Sequence, residues 1–429
     1  MSDPFRFIQF QFCDLLGHMR AMIVPCKPAS SLEEVAEDPV MSEGTSIDGS
    51  SAGFATVEAS DLKLIPDPST LVEIPYLEHR TAAVMCYVER KGKGGTYPLD
   101  SRGVLRSVCS RLLTSRRQLM VKTEPEFYFI SSDGELVDHA RYADVYPLSP
   151  AADALTEIAA VVQDMGMRVR VVHHEAGESQ QEIELDYDDT IRMADNLLRF
   201  KNVARAITRE RGLDVTFMPK PFEDMAGSGL HCHMQLWEGD RNLFGAGEGQ
   251  LSETAEMFAA GLLKHAPAIT AIANPTVNSY KRLVPHHEAP VYICWGPVNR
   301  TVLIRIPLFT HANKAAMEFR SADPLCNPYL LFSAIVAAGM DGVTQRIAPP
   351  EPVKEDVFRM SNSELEERGI GTLPTTLDEA LNELERDSAI VSALGKEIVE
   401  AYVKVKRDEW DEYRSRVVTD WEWERYAEM

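Results

Sequence analysis

Two histidines two residues apart, His231 and His233, close the stretch FMPKPFEDMAGSGLHCHMQL (217–236). In an extended strand residues i and i+2 project from one face, so both imidazoles enter a single cavity. Gly227 and Gly229, just upstream, let the backbone approach a bound molecule closely. Lys122-Thr-Glu-Pro-Glu-Phe sets Glu124 and Glu126 on one face of an apolar strand. Two carboxylates there repel each other and lose hydration, a difficulty that a divalent cation removes, since hard ions prefer several carboxylate oxygens. Glu175 ends the run MRVRVVHHE and Glu182 opens another after a short Gly-containing turn, so a hairpin brings these two together. Glu318 and Arg320 in MEFR also share a face, and a plain ion pair is the commoner reason for that spacing. Arg282, Arg300 and Arg305 stand in strand-like apolar surroundings, suited to bidentate clamping of carboxylate or phosphate. Together these residues form the inventory for two divalent metals and an anionic phosphorylated substrate. No Walker A motif and no kinase HRD or DFG set is present, so a nucleotide needs another scaffold.

The elements that must hold these residues follow from the local patterns. Residues 6–24 read as two strands joined at Leu16-Gly17-His18, Ser30–Val40 as helix, and Gly44–Gly53 (GTSIDGSSAG) as a Gly/Ser loop. Further strand signals lie at Asp61–Thr70 and Ala82–Glu89, and Lys91–Pro98 reads as a linker. A β-rich domain over residues 1–100 is therefore expected, with a larger domain of strands and helices and a C-terminal helical region over 101–429. In the larger part, strands near 121–131, 168–174, 181–185, 214–218, 230–237, 290–293, 301–306 and 316–320 alternate with long helices near 150–166, 188–212, 252–272 and 326–345. Leu377, Leu381, Leu384, Ile390, Leu394, Ile398, Tyr402 and Val405 form an apolar stripe at helical spacing after the proline cluster at 349–352. Trp421, Trp423 and Tyr426 sit on the tail, where an aromatic cluster serves as core or docks on a neighbouring subunit.

Composition narrows the partners. The 429 residues carry a net charge of −22, which repels nucleic acid and anionic membrane. No apolar run reaches the length of a membrane span and MSDPFRF lacks a signal-peptide pattern, so the cytoplasm is the expected compartment. Seven scattered cysteines without a CxxC pair argue against a disulfide framework or a thiolate zinc site.

In order and local text, these motifs resemble the glutamine synthetase family: IDGSS (47–51), EPEF (124–127), HHE (173–175), QQE (180–182), FMPKPF (217–222), GSGLHCH (227–233), NPTVNSYKRLVP (274–285), EAP (288–290), NRT and IRIP (299–307), EFRSADPLCNPYL (318–330) and TDWEWERY (419–426). The resemblance implies an α+β fold, with an N-terminal β-grasp domain and a catalytic α/β domain built on a curved antiparallel sheet. It implies a dodecamer of two hexameric rings with active sites between adjacent subunits. One site for Mg2+ or Mn2+ would use Glu126, Glu175 and Glu182, and the other Glu124, His231 and Glu318. His233 and Arg300 would face the phosphates of ATP, with Tyr187 beside the adenine. Arg282, Arg320 and the Gly227 backbone would hold glutamate, Arg305 the transferring phosphoryl group. Asp48 and Ser51 of a neighbouring subunit would bind ammonium, and Glu288 would close a flap. The implied reaction is ATP-dependent joining of ammonium to glutamate through γ-glutamyl phosphate, open to control by a small regulatory protein or a metabolite.

The chain departs from the family text at Ala226 (usually Asn), at Ala315 and Ala316 (usually a basic pair), at Val298 (usually basic) and at His286-His287 (usually Gly-Tyr). These changes imply a weaker grip on nucleotide and glutamate. GIGTLPTT (369–376) has no tyrosine at the position of the adenylylation loop, which implies that such covalent control is absent. Three readings stay open at this point: an ammonium-using ligase, favoured by Asp48 and Ser51; a ligase for an organic amine; and a catalytically silent paralogue that binds metabolites.

Overall fold

The computed structural model describes residues 3–54, 60–92, 95–113, 116–285 and 289–429. A six-stranded sheet occupies the N-terminal part, in the spatial order Met19–Ala29, Phe5–Cys13, Thr81–Arg90, Asp61–Pro66, Thr45–Asp48, with Val72–Ile74 also on the Thr81–Arg90 strand. Phe5–Cys13 runs parallel to Thr81–Arg90 and the other pairs are antiparallel. The Gly/Ser-rich stretch expected as a loop contains a strand: Thr45–Asp48 pairs with Asp61–Leu64. Its composition hid this, because one buried residue, Ile47, does the anchoring in a four-residue strand. The described part of the expected linker is also folded back, with Thr96 bridged to Glu89 and Tyr97 buried against Phe54.

A nine-stranded sheet carries the larger part, in the order Trp295–Pro297, Ile304–Ile306, Met317–Phe319, Leu230–Glu238, Arg117–Ile130, Gln180–Asp189, Val169–His174, with Asp214–Thr216 also on the Arg117–Ile130 strand and Arg241–Asn242 on the Leu230–Glu238 strand. It is antiparallel throughout this order except between Trp295–Pro297 and Ile304–Ile306. The strand expected at 290–293 is a single bridge from Tyr292 to Thr372, and the strand proper begins at Trp295.

Strict alternation along these strands separates core from cavity. Leu119, Val121, Thr123, Phe127 and Phe129 point into the core, as do Ile183, Leu185, Leu230, Cys232, Met234, Leu236, Ile304, Met317 and Phe319. There they meet the long helices; Phe127 packs edge-on to Phe200 of the helix Thr190–Glu210, with ring centres 5.6 Å apart. The intervening residues, mostly acids, histidines and arginines, are left on the opposite face. The apolar stripe at the C-terminal end becomes three helices, Leu377–Arg386, Ser388–Leu394 and Lys396–Arg416, with its leucines and isoleucines buried. The tail helix Asp420–Tyr426 lies outside the core: Trp421, Trp423 and Tyr426 are exposed.

One buried polar clasp ties the C-terminal helices together. His265, on the helix Glu253–Ala273, has Nδ1 2.5 Å from Asp387 and Nε2 3.0 Å from Asp341 of the helix Pro328–Gln345. Burial alone would depress its pKa, but the bonds to Asp387 and Asp341 win and hold it above the ordinary value. Both aspartates sit below theirs, because the bonds to His265 and, for Asp341, to Lys264 outweigh burial. The histidine's contribution to stability is complete below its unfolded pKa of about 6.5 and fades as pH rises through the folded value. The aspartates contribute above about pH 4 and lose their effect as pH falls. The clasp is thus tightest between roughly pH 4 and 6.5. His265→Gln is expected to cost about 1–3 kcal/mol at pH 6 and less at pH 8. Calorimetric unfolding at the two pH values measures this, and an equal loss at both would refute a protonated clasp.

Candidate active site

The cavity on the charged face of the large sheet has a volume of about 1690 Å³. Its walls come from the alternation just described: Lys122, Glu124 and Glu126 from Arg117–Ile130, Glu182 and Glu184 from Gln180–Asp189, His231 and His233 from Leu230–Glu238, and Arg305 and Glu318 from the next two strands. All six expected metal ligands line it, as do Tyr187, Gly227, His233, Arg282, Arg300, Arg305 and Arg320. Glu288 lies outside the described residues, as do His286 and His287.

Glu124, the hub of this wall, has Oε2 3.5 Å from His231 Nδ1 and Oε1 2.8 Å from His233 Nε2. His231 also reaches Glu318 at 3.8 Å and, through Nε2, Glu126 at 3.8 Å. Across the hairpin, Glu182 stands opposite Glu126 in register and also opposite His173 on its other side. His173 Nε2 lies 2.9 Å from Glu175 and 3.9 Å from Glu182. Three sets can each bring their ligand atoms within 4.8 Å of one another: Glu124, Glu182 and His231; Glu124, His233 and Glu318; and His173, Glu175 and Glu182.

Carboxylates crowd one part of the cavity in a way that fits cations. Burial and the neighbouring carboxylates, Glu126 foremost, push Glu182 well above the ordinary range. Glu126 is raised too, by burial and by Glu175, against the pull of His231. Glu124 goes the other way, since the two imidazoles overcome its burial. Carboxylates this close together cannot all ionise unless positive charge enters among them. Oxygen and imidazole donors of this kind suit Mg2+ or Mn2+.

The glycine loop locks the wall in place. Gly229 N–H donates to Glu126 Oε2 at 2.8 Å, and Gln180 Nε2 bridges that oxygen (3.3 Å) and the Gly227 carbonyl (3.1 Å). A Cβ on Gly227 would stand 2.7 Å from Arg282 Cγ, and one on Gly229 2.6 Å from an Arg282 nitrogen, so both positions exclude larger residues. Arg282 is buried and donates to the carbonyls of Ser321 (2.7 Å) and Ala322. Arg320 bonds Glu318 at 3.1 Å and the carbonyl of Arg300, and Arg305 pairs with the other oxygen of Glu318. Arg300 itself is exposed at the cavity wall. Val298, two residues before it, has φ 60°, a conformation a β-branched side chain rarely takes.

Two expected site residues are not brought to this cavity. Asp48 ends its strand on the N-terminal sheet, exposed, with Oδ2 accepting from Ser51 Oγ at 2.6 Å and Oδ1 from Ser50 Oγ at 2.7 Å. These bonds, Ser51's first, hold the Asp48 carboxyl down at about 2. Lys122 and His173 line the cavity and Gln180 braces Glu126 from beneath it, roles the sequence reading did not give them, although alternation from Glu124 and Glu182 points to Lys122 and Gln180. The His173-His174 pair splits as a strand requires: His173 joins the cavity, while His174 is buried against Asp138 at 3.0 Å.

Comparison with known proteins bears on this whole arrangement. Residues 98–426 match the family model described as glutamine synthetase, catalytic domain, and residues 4–91 that of the glutamine synthetase β-grasp domain. The glutamine synthetase of Pyrococcus abyssi is 44% identical over 437 residues, covering 98% of this chain and 96% of that protein. That of Methanocaldococcus jannaschii is 40% identical, covering 98% and 95%. The solved GmaS/ADP complex superposes with a TM-score of 0.88 at 33% identity, over 100% of this chain and 98% of that one. Through both its sheets and nearly all its length, this chain belongs to the glutamine synthetase family.

Proposed function

We propose that the chain is an ATP-dependent glutamate–ammonia ligase that makes glutamine, ADP and phosphate through γ-glutamyl phosphate. The observation that carries this reading is one shared cavity, where six metal-capable side chains lie beside Arg282, Arg300, Arg305 and Arg320. Two Mg2+ or Mn2+ ions would be held there, one by Glu126, Glu175 and Glu182 with His173 close by, the other by Glu124, His231 and Glu318, and would neutralise charge on the transferring phosphate. His233 and Arg300 face the nucleotide's phosphates, and Tyr187 lies beside its base. Arg320, Arg282 and the Gly227 backbone orient glutamate so that its γ-carboxylate attacks the γ-phosphorus in line. Arg305 follows the charge that develops on the phosphoryl oxygens. The acyl phosphate must be kept from water, the role we give to the segment around Glu288.

Asp48 and Ser51 supply the acceptor site from a neighbouring subunit. With its pKa near 2, Asp48 is ionised at any working pH and holds ammonium by charge. It also takes a proton from the ammonium, freeing the nitrogen lone pair that attacks the acyl phosphate, and phosphate leaves as the C–N bond forms. A ring assembly, a dodecamer of two hexamers in the cytoplasm, supplies that neighbour.

The decisive assay is ADP release with glutamate, ATP and Mg2+, comparing ammonium with methylamine, ethanolamine and polyamines. A compact carboxylate site favours ammonium, so it is expected to give the highest specificity constant. A higher value for any organic amine would replace the reading with an amine ligase, and no ADP release with any acceptor would favour a silent, metabolite-binding paralogue.

A further inference from the structure

Lys122 stands in the middle of the acidic wall. Its side chain is only 5% exposed, and Nζ lies 2.5 Å from Glu124 Oε1 and 2.9 Å from Glu184 Oε2. Its neighbours Val121 and Thr123 are fully buried on the core face, so alternation aims Lys122 into the cavity. It is paired in register with His233 on the adjoining strand. Neither carboxylate depends on this ammonium alone. Glu124 is already faced by His231 and His233, and Glu184 is bonded by Arg170 at 3.0 Å. A buried ammonium is costly to desolvate, and a lysine is retained there when its charge has something further to meet.

Three other buried or half-buried cations of the wall are guanidiniums held elsewhere: Arg305 and Arg320 both hold Glu318, and Arg282 donates to backbone carbonyls. Lys122 is a deep cation on a flexible stem, able to swing from one oxygen to another within the cavity. The oxygen it holds, Glu124 Oε1, belongs to the set Glu124, His233 and Glu318 that can take a metal.

We propose that Lys122 is a tethered counter-cation of the second metal site. It competes with a divalent ion for Glu124 and, once displaced towards Glu184, meets the phosphates of the nucleotide. The proposal rests on the reading of Glu124 as a metal ligand. It has a two-sided signature that a merely structural ion pair lacks. Losing the ammonium should tighten metal binding, because a competitor and a like charge are gone. It should also loosen nucleotide binding, because a phosphate contact is gone.

The test measures binding rather than turnover. Free Mn2+ is titrated by its paramagnetic resonance signal, and ADP binding is then measured with Mn2+ saturating. In Lys122→Met, one class of Mn2+ site, the one built on Glu124, is expected to bind about tenfold tighter and ADP about tenfold weaker. Lys122→Arg, which keeps the charge, should remain near wild type in both and shows that the position tolerates replacement. Weaker or unchanged Mn2+ binding in Lys122→Met would overturn the competition, and unchanged ADP binding would overturn the phosphate contact. Wild-type protein that binds no Mn2+ in a saturable way would sink the metal reading itself, a result distinct from either.

Discussion

Glu318→Ala is expected to lower glutamate-dependent ADP release at least about 10³-fold, roughly 4 kcal/mol of transition-state stabilisation, without unfolding the chain. Glu318 holds Arg305 and Arg320 at the centre of the cavity, and its own pKa is lowered by His233, His231 and the two arginines against its burial. Its loss removes a proposed metal ligand and frees the two guanidiniums proposed to hold glutamate and the transferring phosphoryl group. In a cavity of this size water can solvate them, so the fold survives. Glu126→Gln should be equally inactive but should melt higher than wild type in the presence of a chelator. One member of a crowded carboxylate group has then been neutralised, the exchange of stability for activity expected at a functional site. Substantial ADP release by either variant would remove the metal assignment. An unchanged or lower melting temperature for Glu126→Gln would show that the crowding is not felt.

The second large effect is a rescue. Asp48→Ala and Arg320→Ala chains should each lose most ammonium-dependent turnover when assembled alone. Co-assembled from a mixture, they should regain a measurable share, approaching one quarter of the sites in a statistical ring that pairs Asp48 of one chain with Arg320 of the next. The expectation rests on where the two residues lie: Arg320 lines the cavity, and Asp48 is exposed on the other sheet and does not line it. An active monomer in solution, or no rescue from mixtures whose chains are shown to co-assemble, would rule out shared sites.

Much of the site was legible because its chemistry is written in a period of two. Glu124 and Glu126, His231 and His233, and Glu318 and Arg320 each fall on one face, and the sheet sets those faces side by side. The hairpin that joins Glu175 to Glu182 could be read from a turn and two runs of β-formers. Other features were hidden for physical reasons. Thr45–Asp48 looks like loop because glycine and serine dominate its surroundings, while pairing with Asp61–Leu64 is a long-range fact. Lys122 looks like a solvated lysine next to acids, since burial is not a property of the local text. Val298 gives no sign of its left-handed backbone, which is imposed by the fold around it, including a bond from its N–H to the Ile306 carbonyl.

The seam between the two sheets carries a consequence for how such a chain can be inherited. Arg102, almost wholly buried, joins Asp67 of the N-terminal part (2.8 Å) to Asp195 of a catalytic helix (2.9 Å), with Tyr329 on the same aspartate and Tyr87 stacked on the guanidinium. Arg199 reaches across in the same way to Gln11 and the carbonyl of Thr70. A crossover near residue 95 that brought in a foreign first segment without a carboxylate at Asp67 would leave a buried guanidinium short of a partner. The two halves look modular in the text, yet they can be exchanged between lineages only when both sides of this joint travel together.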